Sequence, residues 1–145
     1  MLIAYLTTDE VNLDLAERLA TECGAILYLL SFQDGPPNGA FDAVLYDWDY
    51  LPAQWRQQLL AELLSRPAPC PVALHGYTLG EEHGEALRRH GADVFRRLEP
   101  GVFLNLRRAA GQARDASSAS QGEGLNPALQ APETPVYSGG TEAKR

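Results

Sequence analysis

Lysine is almost missing from this chain. The sole one, Lys144, is the penultimate residue, so every other fixed positive charge is an arginine. Any chemistry that relies on a flexible ammonium inside the folded region is thereby ruled out, because the planar guanidinium is a poor substitute for it. Positive charge is scarce altogether: 12 Lys+Arg stand against 19 Asp+Glu, a formal net charge of -7. Nucleic acid and anionic membrane surfaces, which are bound through clustered positive charge, are argued against as main partners. Cysteine occurs only at Cys23 and Cys70, too few for a disulfide framework and without metal-ligand spacing. Both read as ordinary buried thiols in a reducing compartment. Long apolar runs are lacking too. Met1-Leu2-Ile3-Ala4-Tyr5-Leu6 has no basic flank and no cleavage-site pattern, so it reads as a strand and the expected location is the cytoplasm. There is no internal repeat, nucleophile elbow, phosphate-binding loop, GxGxxG or zinc spacing, and an enzyme is not expected.

What is present is a chain of 145 residues, 45% hydrophobic, enough for one domain with a real core. Leu2–Leu6 is a continuous apolar run, the pattern of a strand buried on both faces, and Ala25–Leu30 is a second apolar strand. Between them Leu15, Ala16, Leu19, Ala20 and Cys23 recur at helical spacing after the capping sequence Thr7-Thr8-Asp9-Glu10, and Gly24 ends that helix. Ser31–Ala40 is turn-forming, and Pro36-Pro37 forbids a normal helix there. A third strand, Ala43–Tyr46, runs into Asp47, and Pro52 then suits the first position of a helix carrying Trp55, Leu59, Leu60, Leu63 and Leu64. Val72–His75 is a fourth strand. Thr78 and Glu81 have capping-box spacing for a helix with Leu79, His83, Ala86, Leu87 and His90 along one side. A fifth strand, Ala92–Phe95, precedes a last helix with Val102, Phe103, Leu106 and Ala109 apolar.

From Gly111 the composition turns to Ala, Ser, Gly, Gln, Pro and Thr, which cannot bury enough surface to offset ordering entropy. The expected organisation is an α/β domain over 1–110 and a disordered tail over 111–145. Strands alternating with amphipathic helices predict a three-layer fold around a five-stranded parallel sheet, order 2-1-3-4-5, with the second helix missing or reduced to a loop.

The segment Phe41-Asp42-Ala43-Val44-Leu45-Tyr46-Asp47-Trp48-Asp49-Tyr50-Leu51-Pro52 resembles the third-strand region of bacterial response-regulator receiver domains. Pro71-Val72-Ala73-Leu74 resembles the family's fourth strand, and His90-Gly91-Ala92-Asp93-Val94-Phe95 the approach to its fifth. The resemblance covers the first 110 residues or so and implies a flavodoxin-like fold in two-component signalling. It makes Asp47 the phospho-acceptor candidate. It implies Mg²⁺ as the one cofactor to consider, with Asp9, Asp47 and Asp49 as ligand candidates and Asp49 at the position that lends a backbone carbonyl. A carboxylate attacking a phosphoryl group needs such metal and fixed positive charge.

Several parts that the resemblance requires are absent. Thr7 and Thr8 stand at the two acidic positions after strand one, or Thr8 and Asp9 if the register moves by one. Gly76 stands at the end of strand four where Thr or Ser is required, and Arg96 and Arg97 follow strand five where a lysine is required. The chain resembles a degenerate, or pseudo-receiver, domain. The function this implies is binding to other proteins, a histidine kinase or a regulatory protein among them, or to a second copy. The contact face it implies is Leu87, Arg88, Val94, Phe95, Arg96, Val102 and Leu106. Two alternatives stand beside it: a phospho-accepting stand-alone regulator using Asp47, and a flavodoxin-like module binding a small molecule in the strand-end crevice. His75, His83 and His90 share no metal spacing and are expected as partly buried or surface side chains. Trp48 and Tyr50 fit an exposed partner-binding pair, or Trp48 fits beneath a loop.

Overall fold

All five apolar runs form strands. The computed structural model describes residues 1–31, 40–65 and 68–124. Its strands are β1 (Leu2–Leu6), β2 (Ile26–Leu29), β3 (Ala43–Asp47), β4 (Val72–His75) and β5 (Asp93–Phe95). Its helices are α1 (Glu10–Glu22), α2 (Ala53–Ser65), α3 (Glu81–Arg89) and α4 (Pro100–Gly124), with a 3₁₀ turn over Trp48–Tyr50. Every strand pair is parallel and the sheet order is 2-1-3-4-5, as the alternation of strands and helices predicts. The predicted replacement of a helix over Ser31–Ala40 falls on residues 32–39, outside the described residues. No helix among the described residues is long and apolar enough to cross a membrane.

Alternation along each strand divides the core in two. Ile3, Tyr5, Ala43, Leu45 and Ala73 pack against Ala16 and Ala20 of α1 and Val102, Phe103 and Leu106 of α4. Ala4, Leu6, Val44, Tyr46, Val72 and Leu74 face Leu59 of α2 and Leu87 of α3. The small Ala16 and Ala20 let α1 lie close to the sheet. Gly24, at φ +74°, turns the chain out of that helix in a conformation that side chains rarely adopt.

The second strand is a sheet edge, as the order 2-1-3-4-5 requires, and Ile26, Tyr28 and Leu29 are exposed. Two expectations need correction here. The capping box at Thr78 is not used, because α3 begins after Gly80 without a side-chain cap and Thr78 is engaged elsewhere. The inward face of α3 carries Gly84 and Leu87 rather than His83, and His83 and the C-cap residue His90 are exposed, within the expectation of partly buried or surface histidines. The chain divides into the units Met1–Ala110 and Gly111–Arg145. In the second unit the described residues, 111–124, are helical, and the remainder of the expected disordered tail lies outside the described residues.

Burying a large apolar side chain such as Phe103 contributes about 1.5–3 kcal/mol, and removing it adds the cost of the cavity left behind. Phe103→Ala should therefore cost about 3–5 kcal/mol by urea denaturation. Its half-exposed neighbour, Leu104→Ala, should change stability by about 0.5 kcal/mol at most.

Candidate functional site

Strand periodicity and register alone bring four polar side chains into one row. Tyr5 and Thr7 follow Ile3 on the α1 side of the sheet, Asp47 follows Leu45, and His75 follows Ala73. In the sheet Asp47 is directly opposite His75, and Leu6 opposite Tyr46 sets Thr7 beside Asp47. The row lies at the carboxyl ends of β1, β3 and β4, where parallel α/β sheets gather their chemistry.

Asp47 is fully buried. Its Oδ2 accepts hydrogen bonds from Thr7 Oγ1 and from Asn12 Nδ2, both at 2.8 Å. Asn12 is held in place by the start of α1, since its backbone N–H donates to the capping carboxylate of Asp9 at 2.9 Å. Thr7 Oγ1 in turn accepts from the Asp9 N–H at 3.0 Å. The other oxygen, Asp47 Oδ1, has no hydrogen-bond partner and sits 3.8 Å from His75 Nδ1. That distance is within ion-pair reach, but burial holds His75 below its ordinary pKa against the opposing pull of Asp47 and Asp49. The ring is therefore neutral near pH 7 and the contact is not a salt bridge. His75 Nε2 and the Tyr5 hydroxyl lie 2.8 Å apart. Burial, reinforced by Asp47, raises the Tyr5 pKa far out of the physiological range. The arrangement that uses each proton once has Tyr5 O–H donating to Nε2, with the ring proton on Nδ1 facing Asp47 Oδ1.

Asp49, two residues on, does different work. Its Oδ2 accepts from Tyr77 N at 2.8 Å, and its Oδ1 accepts from Thr78 N at 2.9 Å and from the Thr78 hydroxyl. Partial burial pushes the Asp49 pKa up, but the Thr78 and Tyr77 hydrogen bonds outweigh it and the net shift is downward. The backbone beneath is pinned by Arg56, whose Nε donates to Trp48 O at 3.0 Å and whose Nη2 donates to Asp49 O at 2.8 Å. The same guanidinium lies 5.7 Å from the Trp48 ring centre. Gly76 is required at this crossing because a Cβ there would meet Trp48 Cβ at 2.9 Å and Asp49 Oδ1 at 3.0 Å.

Of the predicted metal ligands, Asp9 caps α1, Asp47 is enclosed by Thr7 and Asn12, and Asp49 holds the loop after β4. The Asp49 carbonyl, expected to reach a metal, accepts from Arg56 instead. No group of three or more His, Cys, Asp or Glu side chains is poised for a metal ion among the described residues. The donor set does not fit Mg²⁺. The predicted contact face also divides. Leu87, Val102 and Leu106 are core residues, because inward-facing helix positions are claimed by the domain's own sheet. Arg88 and Arg96 are exposed, and Val94 and Phe95 are half-buried. Trp48 is buried and Tyr50 exposed, so the two do not form one surface pair. The sequence pattern ends the fourth strand correctly at His75, but matching Gly76 to the required Thr or Ser drew attention from His75, which is the residue that faces Asp47. The signal was present in Val72–His75, whose alternation puts His75 on the face of Ala73. Asn12 gave no signal, since a helix-surface asparagine reaches a buried acid only through the tertiary fold.

No protein-family model matches the sequence, and no curated protein matches it. Solved structures do. The receiver domain of a Francisella response regulator matches with a TM-score of 0.56 and 13% identity, covering 77% of this chain and 98% of its own. The non-phosphorylated HemR receiver domain from Leptospira biflexa matches with 0.56 and 20% identity, covering 75% and 93%. A sensor histidine kinase receiver domain from Pseudomonas aeruginosa, with a magnesium ion coordinated in its active-site cleft, gives 0.53 and 15% identity, covering 76% and 97%. The chain has a receiver-like, flavodoxin-like fold.

His75 makes stability depend on pH. Its folded-state pKa is below the ordinary 6.5, which the unfolded chain retains. Between the two values the unfolded state binds more protons. The contribution is complete above about pH 6.5 and is lost as the pH falls toward the folded-state pKa. Urea denaturation should give a lower unfolding free energy at about pH 5.5 than at about pH 7.5, and His75→Gln should reduce that difference. Gly76→Ala should cost about 1–3 kcal/mol, because the backbone and Trp48 must move apart.

Proposed function

We propose that the protein is a receiver-like signalling or regulatory domain that works by binding other proteins, without phosphorylation of Asp47 and without Mg²⁺. The observation that supports this most directly is the enclosure of Asp47: the side chain is fully buried, and one carboxylate oxygen is held by Thr7 and Asn12. A phosphoryl donor needs an open in-line path and a counter-charge at the attacking oxygen. Here Asp47 Oδ1 faces a neutral imidazole, and the only lysine of the chain is Lys144. The exposed residues of the predicted contact face, Arg88 and Arg96, adjoin a groove of about 320 Å³ between α3 and β5, with Leu79, Val94 and Phe95 alongside. Arg88 Nη2 donates to Val94 O at 3.3 Å, which holds its guanidinium against the strand. A mixed groove with two arginines against one acid, Glu81, suits an acidic protein segment, from a kinase, a regulatory protein or a second copy. The reading is of a cytoplasmic, non-catalytic module.

Intact-mass measurement after incubation with acetyl phosphate and Mg²⁺ should show no added phosphoryl group. A gain that disappears in Asp47→Asn would overturn the reading. Self-association measured by light scattering, or capture of a defined partner, should be retained in Arg89→Glu and weakened ~10-fold or more in Arg88→Glu.

A further inference from the structure

A second cavity opens beside the buried row, at the carboxyl ends of the strands. It encloses about 360 Å³, within the range of small-molecule sites. Its walls include Asn12, Tyr50, His75, Tyr77, Arg96 and Leu98. Two of these, Tyr50 and Tyr77, are large aromatic side chains left 45% and 62% exposed, so their rings are open to contact from a bound molecule. Arg96 lies with its guanidinium 6.0 Å from the Tyr77 ring centre and has no acidic partner among the described residues. A guanidinium is a planar fork that can take a two-oxygen anion in bidentate fashion.

The local charge balance selects among anions. Arg97 also lines the cavity, but its Nε is 3.6 Å from Glu99 Oε2 and its charge is offset. Partial burial acts against ionisation of Asp49, yet its Thr78 and Tyr77 hydrogen bonds keep it charged, so it adds negative charge to the same wall. His75 is kept neutral by burial. Arg96 is then the cation on this wall without an ion-pair partner among the described residues, next to the charged Asp49 and in a protein of net charge -7. Such surroundings repel a phosphate dianion more strongly than a single carboxylate, which Arg96 can pair with one to one.

We propose that this cleft binds a small monocarboxylate with a flat apolar body, its carboxylate on Arg96 and its body against Tyr50, Tyr77 and Leu98. The site does not depend on the protein-binding reading, and it uses neither Asp47 nor a metal. Binding is non-covalent, and the ligand is held by shape, ring contact and one bidentate charge pair.

Isothermal titration calorimetry on the full chain with naphthoate, naphthamide and naphthyl phosphate tests it. Naphthoate should bind saturably, and the neutral amide and the phosphate ester should each bind ~10-fold or more weakly. Arg96→Gln and Tyr77→Ala should each reduce naphthoate affinity by a similar factor with the ligand-free melting temperature unchanged. Arg96→Lys, which keeps the charge but not the fork, should restore only part of it, and Arg89→Gln should behave as wild type. Amide chemical-shift changes on adding naphthoate should centre on Tyr50, Tyr77 and Leu98. The proposal is overturned by absence of saturable naphthoate binding, by full affinity in Arg96→Gln, by preference for the phosphate ester, or by shifts centred on Trp55 and Leu59. The last result would assign the ligand to the apolar pocket beneath α2, lined by Leu6, Tyr46, Leu51, Trp55 and Leu59.

Discussion

A carboxyl group that is fully buried must be solvated by the protein itself, and at Asp47 that requirement organises the end of the sheet. Thr7 and Asn12 supply hydrogen bonds to one oxygen. Neither is free to move, because Thr7 also accepts from the Asp9 backbone and Asn12 is fixed by the Asp9 cap. The turn from β1 into α1 is thereby tied to the end of β3. His75 and Tyr5 complete the enclosure on the other side, and their neutral forms suit the low dielectric around them.

Asp49 and Arg56 perform the complementary task on the outer side of the same strand end. The Asp49 carboxylate collects the loop after β4 through Tyr77 and Thr78, and Arg56 reaches from α2 to two carbonyls of the 3₁₀ turn. Gly76 and Trp48 meet where the two systems cross, with no room for a methyl group between them. The carboxylates that receiver chemistry would direct at a metal and a phosphoryl group are here hydrogen-bonded to neighbouring side chains and backbone, Asp47 Oδ1 excepted. Enclosure of Asp47 and the fixed loop after β4 are two sides of one arrangement. The cleft beside them presents the Tyr50 and Tyr77 rings and the Arg96 guanidinium.

Much of the fold was legible because it rests on periodicities that survive in a single sequence. Apolar runs at Leu2–Leu6 and Val72–His75, helical spacing in Leu15–Cys23 and the Gly24 stop each have a local physical cause, and each appears where expected. The contact face was read less well. Leu87, Val102 and Leu106 look alike as surface or core candidates until the sheet they cover is known. The Thr78–Glu81 spacing met the rule for a cap, but an acid 29 residues earlier in the chain claimed the Thr78 hydroxyl.

The sequence by itself determined the class of fold, the order of its elements, the shortage of positive charge and the absence of a lysine near Asp47. These follow from composition and from repeats of two and 3.6 residues, which are local properties. Only the tertiary structure decided that Asp47 is sealed rather than open and that His75 rather than Gly76 faces it. Those outcomes depend on contacts between residues far apart in the chain, such as Asn12 with Asp47, 35 positions on, and Tyr5 with His75, 70 positions on. No local pattern encodes such contacts, because they arise only when parallel strands align in register and bring their ends together.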